Sequence, residues 1–346
     1  MRKGGMKDDE ALHRGGPTAP VDGGGIEVSK VVPSSRLMQF TEKIGIAAIN
    51  RLPLRLRLHV VRATRQARPS RKIAAGIPVT EQTVSGVQIT WLGRQPGRDV
   101  IMYLHGGAYL GGPVFLQWKL LAEIHRQTGL AAAMVLYRRP PQDPHPAALN
   151  DVVTAIRSLH TNGELREGHW VLAGDSAGAQ LALSAAQLLR DSNGPMPAGL
   201  MLTAPMVDME LAHPDTVAAI DAAGIKRDEK FWWAFKMYAN GMPFSDPTLS
   251  PINASVAGLP PVHLNVGTED FFLHDVRRLR HALRDAGIAV SYIEQEGAEH
   301  VYALRSGTPQ ARWAVAEQIR WLREVLSSTT PSTHTPIDGG SAVTDS

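Results

Sequence analysis

No cysteine occurs anywhere in the chain. Disulfides, thiolate metal sites and a cysteine nucleophile are therefore excluded. A large charge excess is missing too: 36 Lys and Arg face 33 Asp and Glu, for a net charge of +3 with histidine neutral. That balance argues against nucleic acid as the main partner. Long hydrophobic runs are also absent. The longest, Gly129 to Tyr137, is far too short to span a bilayer. The first ten residues are partly basic but lead into no apolar segment, so no signal peptide is expected and a cytoplasmic, soluble protein is the default. What is present is an ordinary apolar share, 43%, enough to bury a sizeable core.

The chain divides by composition. Residues 1–25 are rich in glycine among scattered charges and read as a disordered tail, as does the Ser/Thr-rich stretch 328–346. Between about Ser34 and Lys72 the pattern turns helical and basic, with Arg51, Arg55, Arg57, Arg62, Arg65, Arg68 and Arg71 among leucines and valines. Such a helix packs over a main domain with its charges solvated, or lies weakly on an anionic membrane. From residue 78 short strands alternate with helices. Pro78 to Leu92 reads as a hairpin turning at Ser85-Gly86. Apolar strands are expected over Val100–Leu104, Ala131–Tyr137 and Gly199–Met206, and further strands over Val262–Val266 and Ala289–Glu294. Helices are expected over Ala147–His160, from about Phe272 to Ala286, and from Thr308-Pro309 onward, with Val315, Ile319, Leu322 and Leu326 as one stripe. Alternation with near-continuous apolar strands implies an α/β fold, its mostly parallel sheet covered on both faces.

One stretch carries the chemistry. Val171 to Gly178 is an apolar run ending in Gly174-Asp175-Ser176-Ala177-Gly178, and a helical pattern starts behind it with Leu181, Ala185, Leu188 and Leu189 on one face. Strand, sharp turn and helix form the setting of a nucleophile elbow. The turn strains the serine and crowds positions two before and two after it, hence Gly174 and Gly178. A serine needs a base to take its proton. In this architecture the acid and the base follow on loops after later strands, which points to Asp270 as acid and His300 as base. Glu269, Asp275, His274, His281 and His334 compete for those roles. Asp275, His274 and His281 lie within a helix, and His334 lies in the tail. An oxyanion hole needs backbone amides. Ala177, after the nucleophile, and Gly106 and Gly107 in the loop behind the strand at Val100–Leu104 are the candidates. The run Phe231 to Tyr238 concentrates aromatics at helical spacing. It reads either as a packed helix face or as the lining of an acyl pocket.

Together, His105-Gly106-Gly107-Ala108-Tyr109, the Gly-Asp-Ser-Ala-Gly elbow, the Tyr137–Asp151 loop, Asp270 and His300 resemble the hormone-sensitive-lipase-like esterases. The resemblance covers roughly Arg98 to Leu326. It implies an α/β-hydrolase fold, with a helical cap built from an N-terminal segment (26–77) and an insertion (about 208–250) in a catalytic unit spanning 78–327. It implies hydrolysis of short- to medium-chain carboxylic esters through an acyl-enzyme on Ser176, with no metal or organic cofactor. It assigns Ser176, Asp270 and His300 to the triad and Gly106, Gly107 and Ala177 to the oxyanion hole. Tyr109, Trp232 and Phe235 become candidates for the substrate pocket. Similar proteins commonly form homodimers, though no segment here marks an interface. Three departures stand out: Ala108 replaces the usual third glycine, Phe271-Phe272 follow the acid where an Asp-Pro-Leu sequence is usual, and Val301-Tyr302 follow His300. A lactone or amide hydrolase with the same triad, or a binding protein that has lost the chemistry, are the rival readings.

Overall fold

The computed structural model describes residues 65–222, 232–305 and 307–327, together with Pro53, Leu56 and Ala63. The expected tails and most of the basic N-terminal stretch, including Arg51, Arg55, Arg57 and Arg62, lie outside these residues. Residues 65–72, counted above with a basic helix, instead run as bends and a turn. There Arg68 pairs with Glu81, and the carbonyls of Gln66 and Ala67 accept hydrogen bonds from Trp118 and Thr90.

Eight strands make one sheet. The hairpin β1 (Val79–Val84) and β2 (Val87–Leu92) turns at Ser85 and Gly86, both at positive φ (48° and 85°). Two successive positive φ values match a tight turn to the twist of its strands. Then come β3 (Val100–Leu104), β4 (Ala131–Val135), β5 (Trp170–Asp175), β6 (Gly199–Thr203), β7 (Val262–Gly267) and β8 (Val290–Gln295). The spatial order is β1-β2-β4-β3-β5-β6-β7-β8. Strand β2 is antiparallel to both neighbours, and β3 to β8 are parallel. Every residue of β3 to β7 is buried. Two-sided burial is why β3 to β6 read as apolar runs without alternation, while β7 interleaves the buried polar residues His263 and Asn265.

Helices cover both faces. On one lie α1 (Phe115–Thr128) and α7 (Pro309–Ser327), whose Trp118, Leu121, Ile319 and Leu322 share a core with Ile101, Tyr103 and Val171. On the other lie α2 (Ala147–Thr161), α3 (Ala177–Asp191) and α6 (Leu273–Asp285), packed with Met102, Leu172 and Leu264. Two shorter helices, α4 (Pro214–Ala222) and α5 (Trp232–Ala239), fall between β6 and β7. The helix α1 is absent from the sequence-based expectation. The central helix α3 differs from its expected one-sided pattern: residues 177–187 are all buried, while Leu188 faces solvent. Among the described residues no helix is long and apolar enough to cross a membrane.

The chain passes from β3 to β4 on one side and returns to β5 on the other, in register Leu104 to Gly174. At such a reversal the loops beyond the carboxyl ends splay apart and leave a crevice. The loops following β3, β5, β7 and β8 all open at this end of the sheet.

Candidate active site

Ser176 sits at the turn between β5 and α3 with φ 52° and ψ −120°. A side chain rarely adopts that conformation, so the surroundings must impose it. They do so through close backbone contact. A Cβ on Gly174 would lie 2.6 Å from the Gly178 carbonyl, and one on Gly178 would lie 2.0 Å from the Leu104 carbonyl oxygen. The Ser176 amide donates to the Thr203 carbonyl at 2.9 Å, tying the turn to the end of β6. Ser176 is thereby held partly exposed in a buried neighbourhood, at the positive end of a buried helix.

The loops after β7 and β8 are joined to each other. A Cβ on Gly267 would meet the Ala298 carbonyl oxygen at 2.1 Å, so the end of β7 touches the loop after β8 backbone to backbone. The Glu269 amide donates to the Ala298 carbonyl at 2.9 Å, and the Gly297 amide to Thr268 Oγ1 at 2.7 Å. This contact sets Asp270 beside His300. Asp270 is buried; its Oδ1 accepts the Phe272 amide at 3.0 Å, and its Oδ2 lies 2.8 Å from His300 Nδ1. His300 Nε2 lies 3.0 Å from Ser176 Oγ. With Nδ1–H donated to the carboxylate, Nε2 is left as acceptor for the serine hydroxyl.

Burial alone would lower the His300 pKa. The Asp270 carboxylate outweighs it by charge and by hydrogen bond, Asp175 adds to the upward pull, and Arg305 opposes it; the net shift is upward. The competing residues take other positions. Glu269 is exposed, and Asp275 is buried in α6 with Thr216 (3.0 Å) and Arg278 (2.9 Å) as partners. His274 lies 3.7 Å from Asp215, and His281 is exposed; His334 is outside the described residues.

The loop after β3 is buckled to the elbow by Asp175. This buried carboxyl accepts the Gly106 amide (2.9 Å), the Tyr103 hydroxyl (2.9 Å) and Gln117 Nε2 (3.2 Å). Burial pushes its pKa up, and the three donors pull back against that push. Gly106 is pressed so close that a Cβ there would stand 2.2 Å from Asp175 Oδ2. The structure thus gives Gly106 a different role from the one expected. Its amide serves Asp175 and is not offered to an oxyanion. Gly107 is exposed at φ 120°, followed by Ala108 at φ 50° and Tyr109 at φ 64°. Among the described residues the amides of Gly107, Ala108 and Ala177 have no acceptor. Gln117 was not singled out from the sequence. Its Oε1 accepts the Val114 amide at 2.9 Å while its Nε2 reaches Asp175, so it braces this loop from helix α1.

The three pocket candidates form one aromatic row. Tyr109 is wholly buried, stacked on Tyr238 at 3.7 Å with its hydroxyl 3.0 Å from Gln180 Oε1. Phe235 meets Tyr109 edge to face at 6.5 Å and Trp232 at 6.2 Å. Trp232 and Phe235 are buried too. Tyr109 therefore supports the row from behind and has no free surface of its own. Among the described residues no cluster of three His, Asp or Glu side chains could hold a metal ion.

Comparison with known proteins shows the family. A family model described as the alpha/beta hydrolase fold matches residues 101–304. The chain is 36% identical over 228 residues to an acetyl-hydrolase of Streptomyces hygroscopicus, covering 64% of this chain and 74% of that protein. It is 31% identical over 220 residues to the carboxylesterase NlhH of Mycobacterium tuberculosis, covering 59% and 66%. Among solved structures it is similar to an esterase from the bacterial hormone-sensitive lipase family, with TM-score 0.70 and 26% identity over 85% of this chain and all of that one.

Proposed function

From the premise that this chain belongs to the hormone-sensitive-lipase-like esterases of the α/β-hydrolase fold, we propose that Ser176, His300 and Asp270 carry its carboxylic ester hydrolysis. The observation that supports this most strongly is the unbroken chain of contacts, Asp270 to His300 at 2.8 Å and His300 to Ser176 at 3.0 Å. His300 Nε2 takes the hydroxyl proton as Ser176 Oγ attacks the acyl carbon. The developing oxyanion accepts the amides of Gly107 and Ala177, with that of Ala108 alongside. Collapse expels the alcohol, which receives its proton from the His300 imidazolium. A water then gives its proton to His300 and attacks the acyl-enzyme, releasing the carboxylic acid and restoring Ser176. Asp270 holds the tautomer and the imidazolium throughout.

The substrate we assign is a small ester with a short acyl chain. Two observations favour the short end of the expected range: the closed aromatic row of Tyr109, Phe235 and Trp232, and the likeness to a protein named as an acetyl-hydrolase. The finer readings of location follow from sequence: a cytoplasmic protein whose basic N-terminal stretch makes a weak contact with anionic membrane surfaces. Co-sedimentation with anionic vesicles tests that contact, and light scattering tests assembly as a homodimer.

The deciding experiment is hydrolysis of p-nitrophenyl esters from acetyl to long acyl, by wild type and Ser176→Ala. We expect an optimum at the short end and a fall of roughly 10⁴-fold or more in the variant. Equal activity in both proteins overturns the assignment. Activity on a lactone or an amide but on none of these esters moves the substrate class and leaves the triad in place. No turnover of any of the three favours a binding protein.

A further inference from the structure

The two residues after the acid depart from the pattern of similar esterases, and both reach the base. Phe271 is stacked on the His300 ring, 5.8 Å between centroids with the planes 25° apart. Phe272 meets the same ring edge to face at 5.2 Å and 80°. The two rings also touch each other, at 4.4 Å and 63°. Phe272 is buried, and its amide is the one that holds Asp270 Oδ1 at 3.0 Å. One tight turn thus supplies the carboxylate that orients the imidazole and the two aromatic rings that flank it. Phe271 remains half-buried at the rim.

An imidazole held only through Nδ1 can still rotate and swing about that bond. During acyl transfer Nε2 must serve Ser176 Oγ and then the leaving oxygen, so a loose ring loses rate at each hand-over. Flanking rings restrict this motion. The stacked ring also acts on charge, because a cation lying over an aromatic face within about 6 Å is attracted by the ring quadrupole, and Phe271 is the ring that presents its face. In the active form His300 is neutral, and it gains charge as it takes the serine proton. Attraction of that kind is stronger in the transition state than in the ground state, which is the condition for raising the rate.

We propose that Phe271 and Phe272 are positioning residues that clamp the His300 ring, and that the stacked Phe271 also favours its imidazolium as it takes the Ser176 proton. The proposal rests on His300 being the base. The charged groups acting on that ring are Asp270 on Nδ1, Asp175 behind the elbow and Arg305 on the following turn. All three are left unchanged by the test.

The test compares wild type with Phe271→Leu, which keeps apolar bulk but removes the ring, and Phe271→Tyr, which keeps the ring. Two readouts are needed: the pH profile of kcat/KM on p-nitrophenyl acetate, and the His300 pKa by NMR titration in a Ser176→Ala background. The His300 resonance is identified by its loss in His300→Gln. Phe271→Leu is expected to lower kcat roughly three- to tenfold with little change in KM, and to move both the acid limb and the NMR pKa down by roughly half a unit. The direction follows because losing the stacked ring disfavours the protonated form. Phe271→Tyr should restore both. An unmoved or raised pKa in Phe271→Leu, or a Tyr variant that behaves like Leu, overturns the proposal. If Phe271→Leu fails to fold, Phe271→Met carries the same comparison. A wild-type acid limb that does not coincide with the His300 titration overturns the assignment of the base, a failure distinct from that of the clamp.

Discussion

Two of the histidines at the end of the sheet that carries Ser176, His105 and His300, are divided by their surroundings. His105 follows β3 directly and is 1% exposed. It stacks on Tyr137 at 4.3 Å, donates from Nδ1 to the Gly106 carbonyl at 2.9 Å, and has no carboxylate against it among these contacts. Burial pushes its pKa down to about 3, with Arg139 and Arg65 adding to the fall and only the Gly106 carbonyl opposing it. His300 meets a comparable desolvation but faces Asp270, and its pKa goes up. Nearly a third of its side chain, 30%, stays accessible. One carboxylate and an opening to solvent separate a histidine that is a permanent neutral brace from one that can carry a proton. The proposed base is thus distinguished by its partner and its access, and being buried in a strand-end loop does not suffice.

The sharpest way to break the comparison is to take the carboxylate away. Asp270→Asn leaves shape nearly intact but makes His300 resemble His105, favouring the neutral ring and allowing the wrong tautomer. Turnover is expected to fall by roughly 10²- to 10⁴-fold, the range in which triad acids act. The acid limb of any residual activity should move to lower pH, since the native shift is upward and Asp270 is its main cause. Steady-state kinetics from pH 5 to 9 measure both. A variant with full activity, or with a limb at unchanged pH, would show that Asp270 does not orient the base.

A smaller effect is expected where the loop carrying His105 is braced. Gln117→Leu removes one of three donors to the buried Asp175 and leaves the Val114 amide without its acceptor. Hydrogen bonds to charged groups contribute about 1.5–3 kcal/mol. If that is felt mainly as misplacement of the Gly107 and Ala108 amides, kcat should fall roughly tenfold with KM changed little. A loss of stability with kcat untouched would mean that Gln117 braces the fold and not the oxyanion loop.

Much of this was legible in the chain because local patterning and topology agree. The strands β3, β4 and β6 read as apolar runs because both their faces are covered, and Gly174 and Gly178 mark the elbow because no Cβ fits there. The features that escaped depend on partners distant in sequence. Which amide of the Gly106-Gly107 pair stays open is decided by Asp175, 69 residues away. That Tyr109 is wholly covered is decided by Tyr238, in a helix between β6 and β7. Helix α1 was hidden for a local reason. Its cap residue Val114 offers no side-chain hydrogen bond and its first turn has no acidic residue, so the usual start signals are missing. Its one inward-facing polar residue, Gln117, breaks the apolar pattern to serve the site.

The mildest test sharpens the comparison through stability, using a third histidine. His263, in β7, is also buried and pushed down to about 3, chiefly by burial, but it lies against Ser291 and Trp321, away from the triad. Both His105 and His263 are neutral in the folded state where an unfolded chain would titrate near 6.5. Above that value neither state binds the proton and stability is unaffected. As pH falls from about 6.5 toward 3 the unfolded chain takes up protons that the native state refuses, so stability drops, by up to about 1.4 kcal/mol per pH unit for each such histidine. Urea unfolding at pH 7, 6, 5 and 4 should therefore flatten by about one proton in His263→Asn and equally in His105→Asn. Only His105→Asn should also lower kcat, because only there does the ring hold the Gly106 carbonyl next to the site. Equal slopes in all three proteins would mean that the buried rings are not kept neutral. A loss of turnover in His263→Asn would mean that the sheet interior, and not the loop after β3, couples a neutral histidine to catalysis.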